Sequence, residues 1–132
     1  WSATSFNLLR KDGMEAERYN QLNPHKEKHL THIDRCFESH DIPVIATTDY
    51  MRAYAEQIRP YIYSSYSVLG TDGFGRSDSR EELREFFEIN TNHIVRLTAF
   101  TLHQESSISK KQLDAIYKDL NVDPAKPNPW EV

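Results

Sequence analysis

Val44-Ile45-Ala46, running into Thr47-Thr48-Asp49, decides the fold class. The run is continuously apolar where an exposed strand would alternate, the mark of a strand covered on both faces in a parallel α/β sheet. Tyr66 to Leu69 is a second strand candidate. Between them Asp49 is a natural N-cap for a helix from Tyr50 towards Ile58, with Met51, Tyr54, Ala55 and Ile58 close together and Pro60 ending or bending it. Strand, helix, strand is the unit from which parallel sheets are built.

Working back from this unit, Asp41-Ile42-Pro43 closes a short helix expected over His29 to Ser39, where Leu30, Ile33 and Phe37 share a face. Before it, Asn7 to Asn23 favours helix, with Gly13 read as a kink or join and Pro24 as a stop. Trp1 to Phe6 reads as a weak strand stub. Working forward, Gly70 to Gly75 is a turn, and Ser79 with Glu82 forms a capping box ahead of Leu83, Phe86 and Phe87. A longer helix is predicted over Thr91 to Gln104, facing inward through Ile94, Leu97, Thr98 and Leu102. Ser109 and Gln112 form a second capping box, opening a last helix through Leu113, Ile116, Tyr117 and Leu120. The expected fold class is α/β, a small mostly parallel sheet flanked by helices and lacking a neighbouring strand. The expected organisation is one domain over residues 1–122 and a C-terminal tail over 123–132.

Composition narrows the function. The chain has 132 residues, one domain's worth, with 16 Lys plus Arg against 20 Asp plus Glu and a net charge of −4. That balance argues against non-specific nucleic-acid binding, which draws on dense positive charge. Hydrophobic residues make up 38% and mean hydropathy is −0.72, the profile of a polar surface around a modest core. No apolar run approaches the roughly 20 residues of a membrane span. The single cysteine, Cys36, cannot form an internal disulfide, and the cytoplasm is the natural compartment. A start on Trp1-Ser2-Ala3-Thr4-Ser5-Phe6, without Met, reads as a cut through a larger protein.

The most distinctive motif is Val68-Leu69-Gly70-Thr71-Asp72-Gly73-Phe74-Gly75-Arg76-Ser77-Asp78-Ser79-Arg80, which leaves a strand and enters a capped helix. α/β proteins place ligand loops there, and Arg76 with Arg80 has the charge to hold an anion. Yet the spacing is neither a dinucleotide fingerprint nor a phosphate loop. The favoured reading is a structured turn. Gly70, Asp72, Gly73, Gly75, Arg76, Asp78 and Arg80 form a structural or interface loop whose alternating charges pin it internally or onto a neighbouring domain.

Other groups assemble less. His25, His29 and His32 are spaced so that the last two share a helix face, but no acidic partner completes a metal pattern. His40 borders a turn, and His93 and His103 lie too far apart for one site. Cys36 is a nucleophile only if a base approaches it, and otherwise a small helix-flank residue. Tyr61, Tyr63 and Tyr66, with Arg52 and Arg59, read as a surface between domains or subunits. No catalytic constellation forms, which describes an accessory domain.

Thr47-Thr48-Asp49-Tyr50-Met51, Ala55-Glu56-Gln57-Ile58-Arg59 and above all Leu69 to Arg80 closely resemble the C-terminal domain of homodimeric pyruvate dehydrogenase E1. Trp1 to Phe6, Leu8 to Gly13, Glu17-Arg18-Tyr19-Asn20 and Asn23-Pro24 extend the likeness over essentially the whole segment. The resemblance implies a transketolase-like C-terminal domain, truncated at its N-terminal edge by loss of its first strand and helix. It implies a parent enzyme that decarboxylates pyruvate on thiamine diphosphate with Mg²⁺ and reductively acetylates the lipoyl group of the E2 acyltransferase. The implied partners are the remainder of the same chain, a second E1 subunit and E2, with no nucleic acid and no membrane.

In that family the diphosphate and Mg²⁺ are held by a Gly-Asp-Gly motif with a downstream Asn in the N-terminal domain. Thr71-Asp72-Gly73 is not that motif, so Asp72 is not read as a magnesium ligand. The activating glutamate and the substrate-guiding histidines also lie upstream, and none maps onto His25, His29, His32 or His93. The resemblance therefore places no catalytic, cofactor-binding or metal residue in this segment, and the cofactors belong to domains absent here. Two alternatives stand beside it: a stand-alone interaction domain, and the same segment of an E1 acting on another 2-oxo acid.

Overall fold

The computed structural model describes residues 1–37 and 41–132. Its elements are α1 (Phe6–Leu22), α2 (His32–Cys36), β1 (Val44–Thr47), α3 (Arg52–Glu56), β2 (Tyr66–Leu69), α4 (Arg80–Phe86), α5 (Thr91–Gln104) and α6 (Lys110–Asp119), with 3₁₀ turns at Arg59–Tyr61 and Pro129–Glu131. β1 and β2 pair in parallel, Val44 opposite Tyr66 through Thr47 opposite Leu69. This is the α/β arrangement that the apolar Val44-Ile45-Ala46 run predicts.

The core forms where α2, α3 and the sheet meet, around Ile33, Ala55, Ile58, Tyr61, Tyr66 and Val68. Phe6 and Leu9 of α1 and Val44 and Ala46 of β1 pack against it. The Tyr66 hydroxyl donates to the Ala55 carbonyl at 2.8 Å, giving the ring's polar end a partner inside the core. Burial pushes the Tyr66 phenol up to about 12. The tyrosines are thus not one surface: Tyr61 and Tyr66 are each 6% exposed, and only Tyr63, at 59%, faces out.

Several local expectations change. Trp1 to Phe6 is not a strand: Ser5 caps α1, its side chain accepting from the Leu8 N–H, and Phe6 already lies in the helix. Gly13 does not kink α1, which runs unbroken for 17 residues. A Cβ at Gly13 would sit 2.5 Å from the Tyr61 ring, so this glycine admits an aromatic ring against the helix. α2 starts at His32, later than expected, because Thr31 and Asp34 form a reciprocal capping box. The expected end of that helix, at Ser39, lies outside the described residues, as does His40.

Asp49 does not cap α3, whose N-cap is Met51 with no side-chain cap bond. The cause lies in the sheet. Thr48 N–H donates to Leu69 O at 3.0 Å, and Thr71 N–H donates to Tyr50 O at 2.9 Å, so strand-like pairing continues through Tyr50. The helix begins only after that pairing ends. The Ser79 and Ser109 caps fall where expected. Ser109 and Gln112 bond reciprocally, whereas Ser79 Oγ accepts from Glu82 N–H and the Ser79 N–H goes to Asp78 Oδ1. α5 occupies the predicted span.

Candidate functional site

The Gly70–Arg80 loop leaves the carboxyl end of β2, beside the connection that leaves the carboxyl end of β1. Its first part is fixed and its second part is open. A Cβ at Gly70 would meet Tyr50 O at 2.7 Å and Arg52 N at 2.8 Å, a close approach of two backbones that a larger residue blocks. Gly73 has φ +128°, a region that L side chains rarely adopt. A Cβ there would also lie 3.1 Å from Pro129 O. Both oxygens of Asp72 are engaged by Arg52: Oδ1 accepts from its backbone N–H at 3.0 Å and Oδ2 from its Nε at 2.5 Å. Of the four alternating charges Asp72 alone fastens this half of the loop, through Arg52 of α3.

From Gly73 to Arg80 every residue is exposed, and Phe74 is 79% exposed. The Arg76 guanidinium lies 4.0 Å over the Phe86 ring, tying the loop to α4. Asp78 accepts from the Ser79 N–H at 2.7 Å. Arg76 and Arg80 thus do not converge with Asp72 on one point.

The fit of this loop to a divalent cation can be tested directly. Asp72 holds Arg52 through both carboxylate oxygens, and that paired guanidinium neutralises the carboxylate and repels a cation beside it. Among the described residues no group of three or more His, Cys, Asp or Glu side chains is placed to hold a metal ion. The loop does not fit Mg²⁺.

The histidines are dispersed. His29 is held by its backbone, which exchanges two hydrogen bonds with the Asn20 side chain, and its ring tilts against Tyr19. It precedes α2, so it shares no helix with His32. His32 Nε2 lies 3.3 Å from Cys36 Sγ one turn later. That pair lines a groove of about 1260 Å³ bounded by Trp1, Phe6, Ile33, Phe37 and the length of β1. β1 has β2 as its one partner strand among the described residues, so its opposite edge, carrying the outward N–H and C=O of Ile45 and Thr47, faces this groove.

A partly buried charge cluster around His93 has no counterpart among the residues singled out in the sequence. His93, 7% exposed near the start of α5, approaches Asn90 Oδ1 with its Nδ1 at 2.6 Å. Around it Arg96 pairs with Glu88 at 2.6 Å, and Lys126 lies 3.4 Å from Glu85 and 3.6 Å from Glu88. Burial, aided by Lys126 and Arg96, lowers the His93 pKa and keeps the ring neutral. Burial pushes the Glu88 carboxyl up, but the Arg96 hydrogen bond and charge, with Lys126 beside them, hold it below its ordinary 4.5. Glu85, Glu88, His93 and Arg96 lie in one stretch of chain, but Lys126 joins them from 41 residues beyond Glu85, a partner that no local spacing reveals.

Comparison with known proteins gives this architecture its context. The transketolase-like TK C-terminal domain family matches residues 1–90. The Pyruvate dehydrogenase E1 component of Cupriavidus necator is 44% identical over 132 residues, which is 100% of this chain and 15% of that protein. The same component from Pseudomonas aeruginosa is 45% identical over 99% of this chain and 15% of its own length. That of Escherichia coli strain K12 is 44% identical over 98% of this chain and 14% of its own length. The chain therefore spans about one seventh of the curated relatives it matches. With a sheet, a strand-to-helix loop and a covered core in place, the chain belongs to the transketolase-like C-terminal domain family.

Proposed function

We propose that this chain is the C-terminal structural segment of a pyruvate dehydrogenase E1 enzyme, a homodimer that works in the cytoplasm. The parent enzyme decarboxylates pyruvate on thiamine diphosphate with Mg²⁺ and reductively acetylates the lipoyl group of E2. Cofactor and substrate are handled upstream, and this segment serves folding and assembly. The observation that carries the reading is identity of 44% over the full 132 residues to a protein bearing that component's name. Likeness along the whole chain favours this over a stand-alone interaction domain. The open groove along β1 supplies a surface for the remainder of the same chain.

The Gly70–Arg80 loop is the surface assigned to the second subunit. Its support is Phe74, a large apolar ring 79% exposed on an otherwise charged loop that offers no cation site. Arg76→Ala in the full-length enzyme, measured by analytical ultracentrifugation, raises the dimer dissociation constant about tenfold, the cost of a single interface anchor. The Michaelis constant for pyruvate stays unchanged. Unaltered assembly with a selectively raised Michaelis constant would sink the assignment and move the loop to the active-site entrance.

A further inference from the structure

Residues 123–132 do not run free from the end of α6. They lie along the Gly70–Arg80 loop and are fastened at two points. At the first, Lys126 Nζ donates to the Glu85 carbonyl at 3.0 Å and lies beside the carboxylates of Glu85 and Glu88. At the second, the Trp130 ring stacks on the Arg52 guanidinium at 4.8 Å. The short 3₁₀ turn over Pro129–Glu131 sets the ring's position, with the Glu131 N–H donating to Asn128 O at 2.9 Å.

Arg52 joins the C-terminal segment to the loop. One side of its guanidinium carries Trp130, and its Nε and backbone N–H hold Asp72. Pro129 O fills the space above Gly73, the residue with the left-handed backbone. Between the two fastenings the segment spans a cavity of about 460 Å³ lined by Leu69, Gly70, Tyr117, Val122 and Pro129. A segment that bridges a cavity in place of packing into a core is held by its ends, and opens at lower cost than the sheet beneath it.

We infer that residues 123–132 are a strap that sets the conformation of the Gly70–Arg80 loop through the chain Trp130, Arg52, Asp72. Releasing the strap frees the loop while leaving the sheet intact. This goes beyond the subunit assignment of the loop and does not depend on it.

The test is amide hydrogen exchange in the full-length protein, following peptides across residues 69–80 with α1 as internal reference. Losing one stacked cation–π contact speeds exchange of the loop about fivefold in Trp130→Ala, with α1 unchanged. Trp130→Phe, which keeps an aromatic face over Arg52, stays near the unsubstituted rate. Arg52→Met raises loop exchange to the same degree, and adding Trp130→Ala to it accelerates exchange by less than about twofold, since both break one chain of contacts. If Trp130→Ala does not fold, Lys126→Met opens the other fastening and is read on the same peptides. A loop rate in Trp130→Ala or Lys126→Met within about twofold of the unsubstituted protein overturns the strap, as does full multiplication of the Trp130 and Arg52 effects. Failure of the subunit assignment shows separately, as an unchanged dimer in Arg76→Ala.

Discussion

Gly13→Ala separates two opposed physical effects. On an exposed helix face this change adds about 1 kcal/mol of stability, because glycine carries the larger backbone entropy cost. Here the new methyl would lie 2.5 Å from Cε2 and Cζ of Tyr61, where carbon atoms rest at about 3.5–4.0 Å. The ring must retreat by about 1 Å, the shortfall from that contact distance. Tyr61 is 6% exposed and belongs to the core with Ile58 and Tyr66, so the displacement spreads through packed side chains. Overpacking of this kind costs about 1–3 kcal/mol, which exceeds the helix gain. Taking the middle of that range, about 2 kcal/mol, against a helix gain of about 1 leaves an expected net loss of about 1 kcal/mol, read as faster amide exchange across α1 and β2 in the full-length chain. A second background sharpens the test: in Tyr61→Ala the obstruction is gone, and Gly13→Ala becomes stabilising by the helix term of about 1 kcal/mol. Stabilisation by Gly13→Ala with Tyr61 present would refute the packing argument and return Gly13 to the role of an ordinary helix defect.

Other outcomes follow from the same geometry. Tyr66→Phe leaves the Ala55 carbonyl without its hydroxyl donor and costs about 1–2 kcal/mol, seen as loss of exchange protection in α3 and β2; unchanged protection contradicts that bond's role. His93, its pKa lowered from 6.5 by burial, makes folding of the α4–α5 region pH-dependent. The unfolded chain takes up a proton that the folded one resists, so stability is fully present above about pH 6.5 and declines as pH falls below it. Glu88, also lowered, adds a second loss below about pH 4.5 as its pairing is protonated away. Exchange in α5 measured from pH 7 to 5, corrected for intrinsic rates, shows the first decline. His93→Gln flattens it, and an equally steep profile in that variant contradicts the assignment.

What the sequence disclosed was local. Val44-Ile45-Ala46 announces a strand of a parallel sheet by apolarity alone, although β1 is half-buried and not covered on both faces, and Ser109 with Gln112 announces a helix start because cap and partner lie three residues apart. The span of α5 was legible from helical spacing, but its buried face was not: His93, Ala99 and Thr101 are the buried residues, while the expected Ile94, Leu97, Thr98 and Leu102 are half-buried. What remained hidden depends on distant partners. Gly13 looks like a helix defect until Tyr61 is seen against it. Tyr61 and Tyr66 look like a surface patch because phenols suit both interfaces and cores; the space left by Gly13 for the Tyr61 ring and the Ala55 carbonyl that takes up the Tyr66 hydroxyl decide for the core. Lys126 and Trp130 sit in a Pro- and Asn-rich stretch without periodicity, and their partners Glu85, Glu88 and Arg52 lie far upstream. The loop was visible as a motif; its internal pinning through Arg52 was not.

On the proposed function this segment serves a larger chain that performs the chemistry, and the size of the native chain decides it. Source-cell proteins are separated by denaturing size, and peptides of this segment are located by mass spectrometry. Since 15.5 kDa corresponds to 15% of the relatives' length, these peptides are expected at about 100 kDa, together with peptides from the rest of an E1 component. Peptides confined to a band near 15.5 kDa would contradict it.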